Sequence, residues 1–362
     1  MKKILIFTIA ALLGAGTALA DTAQTMPKGT GRVYVAPTFF FVPGTYDRLG
    51  SYNAYEDGKG RVTGGNLGFA AEYGILDWCT IAFRWAPGWN FASTVDLDNS
   101  VTKSGITYTD RNEYNVNGVA DVDFGIRFLI VGEKAPVKSE IIRVSFAPGL
   151  KIPLPGPDFE SQYASYTNNI KEYFNKAAVG VYTGQTPEDP ASGIYTVSSL
   201  DRHAFGIGGR LNADYIFSEN LYIGFFTEFT RYLTTIPAQK YGFEYGGSLD
   251  GSSVDFSSKL TFEIEPVYTR VFGNNMLTVG LPLTVNMAPP VVAKYDGRTM
   301  EILGEQMLFS MMPRIGCLFF AGPLPMEAEL DYTLPIYGKN YAAQHALTLL
   351  LKIYFGLPSS GK

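Results

Sequence analysis

The stretch Arg32-Val33-Tyr34-Val35-Ala36-Pro37-Thr38-Phe39-Phe40-Phe41 decides how this chain is read: Val33, Val35, Phe39 and Phe41 share one parity, and Arg32, Tyr34, Ala36 and Thr38 share the other. A β-strand sends successive side chains to opposite faces, so one face of this segment suits hydrocarbon and the other suits water. The alternation recurs as far as Phe355, in runs joined by turns by a tight connection and a long one. Counting the runs with their turn residues predicts strands at Arg32 to Val42, Val62 to Gly74, Trp78 to Phe91, Val116 to Ile130, Glu140 to Leu154 and Arg202 to Ile216. The series continues at Leu221 to Leu233, Ser257 to Tyr268, Met276 to Met287, Met307 to Phe319, Met326 to Tyr337 and Tyr341 to Phe355, about twelve strands in all. The expected fold is all-β, a transmembrane antiparallel up-and-down β-barrel. A soluble β-sandwich competes, but its strands run to only about five or six residues. Nor does a sandwich give long and short loops a reason to take turns, or Trp85, Trp89 and Phe91 a reason to gather at a strand end.

The two ends supply the address. Lys2 and Lys3 precede an apolar core, Ile4 to Leu13, and the small-residue site Ala18-Leu19-Ala20, so residues 1–20 read as a cleaved signal peptide. No cysteine follows the cleavage site, as lipid attachment would require. Residues 21–30 are then a short periplasmic segment, 31–355 the barrel and 356–362 a tail. Tight connections fall at Ile75 to Asp77, Val131 to Ser139, Phe217 to Asn220, Gly273 to Asn275 and Phe320 to Pro325. Bacterial barrels keep such turns in the periplasm and long loops outside, which predicts two periplasmic termini and long extracellular loops. Leu347, Leu349, Leu351, Ile353 and Phe355 share one face of the last strand, like the C-terminal insertion signal of outer-membrane proteins, with Gly356 to Lys362 following it.

Composition narrows the class. The chain is 46% hydrophobic and 17% charged with a mean hydropathy of +0.04, and it has no apolar stretch long enough for a transmembrane helix. Its net charge of -5 argues against a nucleic-acid partner, which would call for a basic surface. The expected partners are outer-membrane lipid and a small-molecule solute. Cys79 and Cys317 sit with the lipid-facing sets of strands far apart, predicting two free, buried thiols. Neither a cofactor nor a metal is expected.

Removing the lipid-facing parity leaves a charged inner set. Its basic members include Arg84, Arg127, Arg143, Lys151 and Arg314, with Arg32, Arg210, Lys259 and Lys352 beside them. Its acidic members include Asp121, Asp123, Glu228, Glu263, Glu265, Glu327, Glu329 and Asp331, with Glu72 and Asp214. Unpaired buried charge is costly, so these groups either line water or pair across strands. The third to fifth strands are rich in cations and the seventh, eighth and eleventh in carboxylates. That arrangement suggests a basic wall facing acidic ones; the alternative is a salt-bridged filling in which Asp121 and Asp123 neutralise the neighbouring arginines.

Three further features bear on function. The connection from Gly156 to Leu200 carries a helical spacing, Ile170, Tyr173, Phe174, Ala177 and Ala178, after a cap at Thr167, and suits either a constriction in the mouth or a helix on the rim. Pro37, Pro87, Pro148, Pro266, Pro282, Pro313 and Pro335 each remove a ladder donor, which predicts bulges or kinks that curve the wall or open it sideways. Asp201 and His203 share a face near the outer rim, but parity turns His203 and His345 toward lipid or rim, away from any nucleophile. No enzyme is expected.

Gly118-Val119-Ala120-Asp121-Val122-Asp123-Phe124-Gly125-Ile126-Arg127-Phe128, followed by Pro148-Gly149-Leu150-Lys151-Ile152-Pro153, resembles a strand pair of the outer-membrane hydrophobic-compound transporters. That broad family includes the long-chain fatty-acid transporters (FadL-like) and barrels associated with aromatic-compound degradation. The resemblance implies a barrel that passes hydrophobic compounds, and no ligand residue carries over from it. The fatty-acid branch has fourteen strands and an N-terminal hatch, whereas this chain reads as about twelve and Asp21 to Thr30 as too short for a plug. The resulting expectation is an outer-membrane channel for passive uptake of small molecules, hydrophobic ones among them, through a charged interior. The alternative is a surface adhesin or antigen whose loops, such as Ser51 to Gly60 and Tyr241 to Ser253, bind a partner.

Overall fold

In the computed structural model the described residues are 22–55, 62–95, 100–103, 106–109, 113–155, 168, 171–180, 183, 194–198, 202–237, 253–295, 297–322 and 324–356. Residues 1–20, read as a signal peptide, residues 56–60 and 241–252 of the two proposed contact loops, Thr167, Ile170, Asp201 and the tail beyond Gly356 lie outside them.

Alternating sequence becomes a closed wall. Its strands are β1 (Gly31–Val42), β2 (Val62–Leu76), β3 (Cys79–Val95), β4 (Val122–Val131), β5 (Ile142–Ile152), β6 (Gly206–Ser218) and β7 (Leu221–Tyr232). They continue as β8 (Ser258–Phe272), β9 (Asn275–Gly280 and Leu283–Ala288), β10 (Gln306–Met311 and Arg314–Ala321), β11 (Leu324–Lys339) and β12 (His345–Phe355). Each strand pairs antiparallel with its sequence neighbours, and β1 closes the ring on β12 from Gly31↔Phe355 to Phe41↔His345. Closure leaves no sheet edge, the condition for strands to stand in hydrocarbon. It also rules out two stacked sheets with open margins.

The two parities separate as expected. Phe39, Phe83, Phe124, Leu349 and Leu351 face outward, with Phe83 and Leu349 both 40% exposed. Thr38, Glu72, Arg127, Asp214, Glu263, Arg314, Glu329 and Lys352 are buried on the inner face. Beside β1 the bore is filled by Tyr34, Ala36, Ala70, Ala86 and Leu350. Cys79 and Cys317 are both free, but Cys317 is only half-buried, because the outer face beside it is open.

Several strand ends differ from the predicted ones. β4 is interrupted above Val122: Glu113–Val116 and Gly118–Val119 still pair with β3, at Thr94 and Val95 and at Trp89 and Asn90, but a left-handed Gly118 breaks the run. β12 begins at His345, since Tyr341–Ala342 pairs with Gly44–Tyr46 above the rim. Prolines break β9 at Pro282 and β10 at Pro313, and the neighbouring strands use their carbonyls: Leu281 N donates to Pro266 O, Met312 N to Pro282 O and Tyr332 N to Pro313 O. At the long-loop end a four-stranded sheet joins Ile236–Pro237, Ser253–Asp255, Val291–Tyr295 and Arg298–Leu303. Residues 171–180 are helical, with Tyr173 and Ala177 buried and Ala178 exposed.

Candidate functional site

The inner face of β4, β5 and β6 carries the residues that shape an internal recess. Inward positions on these strands alternate charged or polar side chains with Gly125, Gly149 and Gly208. Gly125 stands opposite Gly149, and Gly149 opposite Gly208, so three adjacent strands present a row of bare backbone. Pro148 adjoins this row on the outward parity, and the β4–β5 ladder is interrupted between Gly125↔Gly149 and Phe128↔Phe146, where a proline has no N–H to give. A cavity of about 140 Å³ lies on this floor, bordered by Ala82, Ala147, Tyr34 and Thr230 and by a rim of charge.

The rim is a chain of ion pairs that crosses the bore. Lys151 Nζ lies 3.5 Å from Asp123, whose other carboxylate oxygen accepts from Arg84 at 2.7 Å. Arg84 on β3 then approaches Glu228 on β7 at 3.8 Å, and Glu228 accepts from Arg210 on β6 at 2.8 Å. Because β3 and β7 are four strands apart, this chain is a chord that closes the recess against the glycine floor. The predicted basic and acidic walls therefore meet across the interior in this pair. Asp123 neutralises Arg84 as expected.

Asp121 immediately precedes β4. It is fully buried, accepts from Leu154 N at 3.2 Å and lies 3.4 Å from His203 Nδ1. His203 was expected to face lipid or the rim. It precedes β6, has a left-handed backbone (φ 50) and is buried, so strand parity does not govern it. His345 follows the parity reading: it stacks on Phe41 at 4.7 Å and meets Tyr332 Oη at 2.9 Å on the outer face.

Below the recess the N-terminal segment enters the bore, correcting the expectation that residues 21–30 are too short to plug it. Ala23 N donates to Asp214 on β6 at 3.1 Å, and Thr22 Oγ1 donates to the same carboxylate. Arg127 on β4 donates to Thr22 O and Gln24 O, while Met26 N donates to Thr80 Oγ1 on β3 at 2.8 Å. Arg143 lies 3.7 Å from Asp214 and donates to the Gln24 amide. Lys28 N reaches Asp77 at the β2–β3 turn. A segment that leaves β1 and is held by β6 crosses half of a twelve-strand ring, so an extended run of a few residues spans the bore. Ala23 is fully buried there.

The remaining charges lie on the other side of the interior. Arg314 on β10 bridges Glu265 on β8 and Glu329 on β11, and it stands in register with Asp331. Lys352 donates to Glu327 at 2.9 Å and to Glu329 at 3.1 Å, and Tyr354 Oη donates to Glu327. Glu263 accepts from Thr284. Arg32 and Tyr34 both bind Glu72, which lies 3.9 Å from Arg127. The charged filling is thus paired strand by strand. The glycine floor and the inserted segment were not anticipated; the inward parity of Gly125, Gly149 and Gly208 was the available signal for the floor.

No family model matches the chain, and no curated protein matches it. Among solved structures, the COG4313 outer membrane channel from Pseudomonas putida F1 superposes with a TM-score of 0.56 at 10% identity, over 94% of this chain and 100% of that one. The toluene transporter TodX of P. putida gives 0.39 at 9% identity over 92% and 91% of the two chains. A Pseudomonas aeruginosa FadL homologue gives 0.38 at 11% over 96% and 98%. The first of these likenesses shows a shared fold: the chain is built as an outer-membrane channel barrel is built.

Proposed function

We propose that this protein is an outer-membrane channel for passive uptake of small molecules, hydrophobic ones among them. The observation that carries the reading is an internal recess edged by the Lys151–Asp123–Arg84–Glu228–Arg210 chord, with residues 22–26 held across the same bore by Arg127 and Asp214, inside a wall whose outer face suits lipid. In this reading the charged residues line a lumen, the short-turn end and both termini face the periplasm, and the N-terminal segment is the plug that a solute must displace. The interrupted β4–β5 ladder at Pro148 offers hydrophobic solutes a sideways exit, since backbone bonds that are not made do not have to be broken. The likeness of its fold to the COG4313 outer membrane channel supports a conduit over a catalyst.

Liposome swelling with sugars, amino acids and fatty acids tests the proposal, on the mature chain and on a variant lacking residues 21–26. Entry of at least one solute class, faster in the deletion variant, is expected. Impermeability of both to every class contradicts the channel. The four-stranded sheet standing at the long-loop end supports the second reading, a surface adhesin, and a closed barrel with saturable binding of a partner by that sheet would favour it.

A further inference from the structure

One turn at the long-loop end carries an apolar side chain at its tip. Asp47-Arg48-Leu49-Gly50-Ser51 closes the hairpin between Gly44–Tyr46 and Tyr52–Ala54. The Asp47 carboxylate accepts from Leu49 N at 2.8 Å and Ser51 N at 2.9 Å, Gly50 takes a left-handed φ of 88, and Asn340 N donates to Asp47 O at 3.0 Å. A turn fixed in this way holds Leu49 out at 80% exposure, and a partner that covers it has no loose loop to order. Single exposed leucines are common, so the surroundings of this one decide its meaning. The turn straddles the rim. On the inner side Tyr46 is buried, and a Cβ at Gly338 would strike its ring; on the outer side a Cβ at Gly50 would strike the ring of Tyr337. Tyr337 pairs with Phe309, which has the outward parity of β10, since Gln306, Leu308 and Ser310 are the buried set there. The turn that carries Leu49 therefore adjoins the upper end of a lipid-facing column on β11, Leu330, Ile336 and Tyr337, all more than a third exposed. Lys339, opposite the outward Met307, ends that column, and Arg48 is exposed next to Leu49. Apolar, then aromatic, then cationic is the order a wall shows where hydrocarbon gives way to headgroups.

We infer that the Asp47–Ser51 turn is a lipid-anchoring site: Leu49 enters the apolar edge of the leaflet at the long-loop end, and Arg48 and Lys339 hold the phosphate of one of its lipids. Continuity decides the occupant. The face of β11 that suits hydrocarbon as far as Tyr337 runs directly into this turn, so the surface that meets the wall there also meets Leu49 and the two cations. Charge decides the lipid: the Asp47 carboxylate is engaged by the turn's own N–H groups, and a phosphate without a headgroup cation offers oxygens to Arg48 and Lys339 alike. A cation at an anionic membrane surface is worth about fivefold in affinity. The inference needs a wall that stands in lipid and no passage through it; the proposed orientation makes this leaflet the outer one.

The test places a fluorophore at the tip. Leu49→Cys, in a background of Cys79→Ala and Cys317→Ala that removes the two native thiols, is labelled, and the full mature chain is reconstituted in phosphatidylcholine nanodiscs. The discs carry an equal, small share of one lipid brominated in its acyl chains, either phosphatidic acid or phosphatidylcholine, and bromine quenches only at short range. Brominated lipid should quench the label, and aqueous iodide should quench it weakly. Brominated phosphatidic acid should match the quenching of brominated phosphatidylcholine at about one fifth of its share or less, the preference expected of one engaged cation. Arg48→Gln with Lys339→Gln should make the two lipids quench alike while the label stays in contact with both. Heat-modifiable mobility shows that each variant has assembled as a barrel. Strong quenching by iodide with none by either lipid places Leu49 in water, free for a protein partner, and overturns the anchor. Equal quenching by the two lipids before the cations are replaced overturns the phosphate site. Impermeable liposomes together with the expected lipid quenching would overturn the channel reading and leave this inference standing.

Discussion

The two sides of the interior use the same residue for opposite ends. On β9 and β10 the inward Gly280 and Gly316 make room for side chains: a Cβ at Gly280 would strike Glu265 and Arg314, and one at Gly316 would meet Glu329 at 3.4 Å. On β4, β5 and β6 the nearest atoms to a Cβ at Gly125, Gly149 and Gly208 are instead backbone, Pro148 O, Phe124 O and Phe229 O, among the described residues. One side is therefore filled with paired charge and the other is left hollow. Rigidity is concentrated where Arg314 and Lys352 hold three carboxylates, Glu265, Glu327 and Glu329; space is kept where the chord Arg84–Glu228 stands off from bare backbone.

The contrast is broken most strongly by removing what closes the hollow side. Deleting residues 21–26 should raise single-channel conductance several-fold while leaving heat-modifiable mobility unchanged, since only the bore is emptied. Asp214→Ala, which releases Thr22 and Ala23, should reproduce a large part of that rise. On the filled side the expected damage is to stability. Arg314→Leu strands Glu265 and Glu329 without their shared cation, and urea titration of the refolded barrel should show a loss of about 3 kcal/mol or more. Gly280→Val, which overpacks Glu265 and Arg314, should cost about 1–3 kcal/mol in the same assay.

Cutting the chord sharpens the comparison further. Arg84 and Glu228 are each about a quarter exposed, so Glu228→Gln should cost about 1 kcal/mol or less while visibly raising ion flux in planar bilayers. The smallest effect lies outside the wall. The Lys294 ammonium and the Ser257 N–H hold the Asp255 carboxyl below its usual range, so this contact supports the outer sheet at neutral pH. A carboxylate with a depressed value contributes above its unfolded pKa and loses that contribution as pH falls through the folded one. Protease access to residues 291–303 should accordingly rise only below about pH 4, and Asp255→Asn should show the higher access at neutral pH.

Much of the wall was legible because strand parity is a local property. Arg32 to Phe41 announces its two faces without knowing its neighbours, and each of the other predicted strands does likewise, which is enough to specify closure of an even-numbered ring. Parity failed where the backbone leaves the strand conformation, at His203, whose φ is positive and whose ring turns to Asp121 and Leu154 O. It also says nothing about who stands opposite across a tube. That Arg84 meets Glu228, or that residues leaving β1 reach Asp214 on β6, depends on the height of each residue along the bore, which alternation does not encode. The hollow was hidden for a further reason. Glycine in a strand usually reads as a weakness, and only the pairing of Gly125, Gly149 and Gly208 in one row gives it another meaning.

Planar-bilayer conductance of the variant lacking residues 21–26, with and without Gly149→Phe, tests most directly that solutes travel over the glycine floor. The open current of the deletion variant should collapse once the phenyl ring fills the recess, while Leu349→Phe on the outer face of β12 should leave it standing. A current that survives Gly149→Phe undiminished would contradict the account.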